Sequence, residues 1–192
     1  MTFNDLHPRG AAGRFIPTHH AEASVSLGAG PDWAAWRDGL EIPTFRRGQK
    51  FTEYTRRGTP VKLTAGIIDR DARQIFTRGQ CMALVRVLSD AKAGTPVIAF
   101  EPGTTSLAHA LIRLPDGTLL DIDGVHDAAD VGQDYDLVDY EPEDFAAHVD
   151  AGTGFAEWSD PPNYELARTF VGAITAGVAR GTAAPSAPGT NV

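Results

Sequence analysis

Cysteine is the scarcest informative residue: 192 residues contain one, Cys81. A lone thiol closes no disulfide within the chain, so stability must come from a packed core, and this length can supply one. No apolar run approaches the roughly 20 residues of a membrane span. The opening MTFNDLHPRGAAGRF has no apolar stretch of the kind a secretory leader needs. The expectation is a cytoplasmic protein with no membrane partner. Basic residues are also few. Seventeen Lys and Arg face 25 Asp and Glu, a net charge of −8, which argues against a nucleic-acid partner. No P-loop or other nucleotide signature is present. His19-His20 has no Cys or carboxylate at ligand spacing, so neither a cofactor nor a metal is expected.

What is present divides into a head, a body and a tail. Residues 1–28 mix Gly, Pro, Thr, His and Ala without periodicity and read as a flexible head; residues 181–192 read as a disordered tail. Between them, 29–180 reads as one domain. Its charge is uneven, basic from Arg46 to Arg78 and acidic from Asp116 to Glu165, a pattern that a solvated surface accounts for. WAAWRDGL reads as a short helix, KFTEY and PVKLTA as strands, and Asp69 as the cap of a helix through DARQIF. A second helix starts at or just before Cys81 and runs through CMALVRVLSDAKAG, with Gly94 as its stop. Strand PVIAF, a hairpin SLAHALIRL-PDG-TLLDIDG and strand YDLVDY follow. EPEDFAAHV and the longer NYELARTFVGAITAGVA close the domain as helices. Helices are segregated from antiparallel strands, so the fold class is α+β.

Cys81 falls in the first turn of its helix. Free N–H groups and the positive end of the helix dipole favour a thiolate there and can hold an oxyanion. The position suits a buried structural thiol equally well, since Leu84, Val85 and Leu88 follow at helical spacing. The hairpin separates the two readings. Leu114-Pro115-Asp116-Gly117-Thr118 predicts a three-residue loop with a bulge at Gly117. That register sets Leu111 opposite Asp121 and His109 opposite Asp123, crowding His109, Asp121 and Asp123 onto one face. A two-residue turn would move His109 to the other face. An imidazole beside a carboxylate is the pair that activates a thiol. Leu107 and Leu111 share this face, and the Cys81 helix is expected to cover it.

Cys on a helix N-terminus, then His on a strand, then Asp on the next strand is the order found in papain-like cysteine proteases in the broad sense. NlpC/P60 peptidases, transglutaminase-like proteins and arylamine N-acetyltransferases share it. FTRGQCMALVRVL, HALIRLPDG and LLDIDG, covering about residues 75–124, also resemble a group of bacterial and phage proteins carrying G-Q-C, H-x-x-x-x-x-P-D-G and L-D. The head HPRGAAGRF is similar to those of actinobacterial phage and mobile-element proteins. The resemblance implies a papain-like fold with Cys81 as nucleophile, His109 as base and Asp121 as its orienter; turn geometry favours Asp123, and both stay in play. Gln80 adjoins the nucleophile and is the candidate for the oxyanion or substrate-binding side chain. The implied activity is hydrolysis of an amide, isopeptide or thioester bond in a protein or peptide-like substrate. An acyltransferase or transglutaminase-like enzyme with the same triad, and a non-catalytic binding protein on the same frame, are the alternatives.

Overall fold

Asp32 opens the first helix, α1 (Trp33–Asp38), by accepting the amides of Ala34 and Ala35 on its side chain. The structure, a computed structural model, describes residues 31–55, 57–150 and 161–180. The head and tail assigned to 1–28 and 181–192 lie outside the described residues. Strands β1 (Lys50–Tyr54) and β2 (Pro60–Thr64) form a separate antiparallel pair, Lys50 opposite Thr64 and Tyr54 opposite Pro60. Asp69 caps α2 (Arg70–Arg78), its Oδ1 accepting from the Ala72 amide at 2.8 Å, and α2 buries Ala72, Ile75 and Phe76.

Helix α3 (Cys81–Asp90) is the centre of the domain. Eight of its ten residues are buried, Cys81 through Val85 and Val87 through Ser89. A helix apolar on nearly every side must be covered on nearly every side. Strand β4 (Leu107–Arg113) packs on one side. Helices α2, α5 (Pro142–Asp150), α6 (Tyr164–Arg168) and α7 (Val171–Ala179) pack on the others. Helix α3 does not run to Gly94 as the sequence suggests. It stops at Asp90, and Lys92 takes the left-handed conformation, φ +62°. The amides of Lys92 and Ala93 return to the carbonyls of Ser89 (2.9 Å) and Leu88 (3.0 Å), the two bonds of a Schellman motif. Gly94 serves a different purpose: a Cβ there would lie 2.1 Å from the Arg113 carbonyl oxygen. The long C-terminal run is two helices rather than one. At the break the amides of Thr169 and Phe170 bond three residues back, to Leu166 and Ala167, and the Thr169 hydroxyl also donates to the Leu166 carbonyl.

The main sheet is antiparallel in the order β6-β5-β4-β3-β7, built from β3 (Thr95–Phe100), β4, β5 (Leu119–Leu120), β6 (Val125–His126) and β7 (Asp136–Asp139). The fold class is therefore α+β with antiparallel sheets. Ile98, Ala110, Ile112 and Leu120 face the main core with α3. Val97, Ala99, Leu111 and Leu119 face a smaller cluster with Ala128 and Val131 of α4 (Ala128–Asp134). This corrects the expected cover. Leu107 and Leu111 do not share a face, and the helix over Leu111 is α4, which has no clear signature in the sequence. The reason is a bulge. Ala99 pairs with His109 but Phe100 with Leu107, so Ala108 is the extra residue and the side-chain alternation slips by one. Among the described residues no helix is long and apolar enough to cross a membrane.

Candidate active site

The β4–β5 turn fixes the site's first two side chains. The Leu114 amide donates to the Thr118 carbonyl at 2.8 Å, the Gly117 amide to the Leu114 carbonyl at 2.9 Å, and Gly117 has φ +87°. This is the three-residue loop expected from Pro115-Asp116-Gly117, and it sets Ile112 opposite Leu120 and Arg113 opposite Leu119. Continued, that register would bring Asp123 opposite His109. The ladder ends at Leu120 instead. The Asp121 amide donates to the Gly124 carbonyl at 3.1 Å, turning the chain back into β6.

The two aspartates therefore part company. Asp123 faces outward to Arg73, whose Nη1 lies 2.6 Å from its Oδ1. Asp121 stays inside, 5% exposed, and its Oδ2 lies 2.8 Å from His109 Nε2. Its Oδ1 takes His126 Nε2 at 2.8 Å and the amides of Asp123 (2.7 Å) and Gly124 (3.3 Å). Burial alone would raise the Asp121 carboxyl, but the hydrogen bonds from His109 and His126 hold it well below the usual carboxylate range.

His109 is the mirror case. Burial alone would lower its imidazole; the bond to Asp121 and the neighbouring Cys81 sulfur overturn this and raise it to about 10. At that value the ring is an imidazolium at neutral pH, bonded through Nε2 to the carboxylate, with the sulfur close by. Its Nδ1 is buried, and among the described residues no group, that sulfur included, completes a hydrogen bond to it. We read the Cys81 contact as a near approach rather than a formed bond, a looseness common for such pairs without a ligand. Cys81 itself is 1% exposed and belongs to the main core.

Gln80 is placed away from this contact. Its Nε2 donates to the Pro161 carbonyl at 3.3 Å and its Oε1 accepts from the Asn163 amide at 2.8 Å. Both ends of the amide tie the approach of α6 to the start of α3. Helix α3 has no side-chain cap on its first-turn amides.

A cleft of about 290 Å³ is lined by His109, Asp121, Asp123 and His126 together with Leu111, Val131 and Tyr135. Cys81 does not line it. His126 was not expected at the site. The Asp123-Gly124 turn signal is the one feature that could have folded 125–126 back beside 119–120 and brought this histidine to Asp121. Among the described residues no group of His, Cys, Asp and Glu is arranged to hold a metal ion. Comparison with protein families, with curated proteins and with solved structures finds no match to this chain.

Proposed function

We propose that this chain is a cysteine-dependent hydrolase of an amide, isopeptide or thioester bond, working through a thioester acyl-enzyme on a papain-like frame. The observation that carries the reading is the His109 imidazole held by the Asp121 carboxylate with the sulfur of Cys81, at the uncapped N-terminus of α3, as its near neighbour. In this scheme the Cys81 thiolate attacks the carbonyl carbon. The oxyanion is held by first-turn amides of α3, and His109 passes its proton to the leaving nitrogen as the C–N bond breaks. A thioester's thiolate leaves in the same way. Water then attacks the acyl-enzyme, His109 takes a proton from it, and the carboxylic acid departs as Cys81 is released. Asp121 keeps the imidazole in the tautomer and orientation that both steps need. Transfer to an amine instead of water uses the same residues up to the acyl-enzyme.

One observation favours a second reading. Cys81 is 1% exposed and lies outside the cleft walls, which suits a non-catalytic binding protein that uses the cleft alone. Alkylation of Cys81 by iodoacetamide, followed by intact mass at pH 5.5, separates the two. An ordinary thiol, pKa about 8.5, is only about one part in a thousand thiolate at that pH. The enzyme reading expects the wild type to react at least about tenfold faster than His109→Ala, well above an ordinary thiol. Equal and slow reaction in both proteins would leave the binding reading.

A further inference from the structure

Asp121 holds two histidines, and the scheme above uses one of them. His126 sits on β6, its side chain 19% exposed and its ring on the cleft wall, with Nε2 2.8 Å from Asp121 Oδ1. We propose that His126 is a positioning residue: by holding Oδ1 it fixes the carboxylate so that Oδ2 is presented to His109, and through His109 it sets the reactivity of Cys81. The inference rests on the reading of Cys81 as nucleophile.

The geometry argues for positioning as follows. Among the described residues Oδ1 has three donors, the Asp123 amide, the Gly124 amide and His126, whereas Oδ2 has one, His109. Rotating the carboxylate to exchange its oxygens would break all four bonds at once. The two amides belong to Asp121's own turn and move with it. Among the described residues His126 is the one side-chain donor on Oδ1, and it comes from β6, whose ladder partners are Leu119 and Leu120. It therefore ties the carboxylate to the sheet rather than to the turn. A charge-assisted bond of this kind is shorter and stronger than a neutral one. The other charged groups around His126 are Asp123, with Arg73 on its far side, and His109 across the shared carboxylate.

The test measures Cys81 alkylation across pH 5–9 in the full chain for the wild type, His126→Ala and His126→Gln, with the His109 ring followed by NMR in each. Glutamine keeps an N–H donor for Oδ1 but has no proton to titrate. The expected result is an alkylation rate about tenfold lower in His126→Ala, restored to within about twofold in His126→Gln, as loss and recovery of one charge-assisted hydrogen bond would give. The His109 Nε2–H resonance should be protected from exchange in the wild type and the Gln variant and lost in the Ala variant. Should His126→Ala fail to fold, His126→Leu, which fills similar volume without a donor, takes its place. A wild-type rate in the donor-less variant, or equal slowing in the Gln and donor-less variants, overturns the proposal. If His109→Ala leaves alkylation unchanged, the nucleophile reading falls by itself. The positioning claim is then judged on the His109 resonance, and an unchanged resonance in the donor-less variant overturns it.

Discussion

At the scale of single residues, the site turns on one carboxylate that does not share its neighbour's fate. Asp121 and Asp123 are two positions apart, yet one holds two buried-side imidazoles and the other a surface arginine. Asp121→Asn should lower Cys81 alkylation at pH 5.5 by about tenfold or more, because it removes the charge that keeps His109 protonated and oriented, whereas Asp123→Asn should change it less than about twofold. The pair also makes a stability prediction with a definite sign. His109 is raised from 6.5 to about 10, so its contribution is full below about 6.5 and is lost as pH rises toward 10. Asp121 is held below its ordinary 3.8, so its contribution is present above that value and fades as pH falls through the lower one. Urea unfolding of the wild type against His109→Ala should give the largest difference near pH 5 to 6. Removing one partner of such a pair costs about 3–5 kcal/mol. The difference should shrink steadily as pH approaches 10, and one that grows with pH would contradict the assigned charges.

At the scale of elements, two neighbouring residues divide a job that sequence assigns to one. Gly94 looks like the stop of α3 because glycine is the usual left-handed residue after a helix. Lys92 takes that conformation instead, at φ +62°, while Gly94 lets β3 approach the Arg113 carbonyl. The two substitutions should therefore act in opposite directions. Gly94→Ala would set a methyl group against a backbone oxygen and should destabilise the domain by about 2–3 kcal/mol, read from the urea midpoint. Lys92→Gly relieves a left-handed non-glycine residue and should stabilise it by up to about 1 kcal/mol. The hairpin was legible where the element signal is local: proline, aspartate and glycine in order dictate the loop, and the loop dictates the register. Helix α4 was not, since Ala-Ala-Asp-Val-Gly-Gln-Asp has few apolar positions and a glycine, and it buries none of its residues fully.

At the scale of the domain, the main core and the cleft lie on different parts of one sheet, and Cys81 belongs to the core. The main core lies between α3 and the Ile98, Ala110, Ile112 and Leu120 face, and includes Phe76 and Phe170 in edge-to-face contact at 5.1 Å. The cleft is lined by His109 together with Leu111, Val131 and Tyr135. Phe170→Ala should cost about 3–5 kcal/mol by chemical denaturation, as a fully buried ring does. Tyr135→Ala should cost under about 1 kcal/mol, since the ring is 37% exposed, so it can be used to alter the cleft without unfolding the protein.

Residue order alone was enough to put a thiol at a helix start, a histidine and two aspartates on one hairpin, and an antiparallel α+β frame around them. Each of these follows from interactions among residues close along the chain: caps, turn torsions and alternation. Three matters required the folded molecule. The ladder stops at Leu120, which separates Asp121 from Asp123; the bulge at Ala108 redirects the end of β4; and His126 arrives from a strand two residues long. Distant groups enter through Arg73, which pairs with Asp123, and α4, which covers the Leu111 face, whereas His126 is brought back by the short turn from Asp121 to Gly124. A strand's local pattern fixes how its residues alternate, but where pairing ends and which element covers each face emerge only when bulges, turns and packing partners are assembled together.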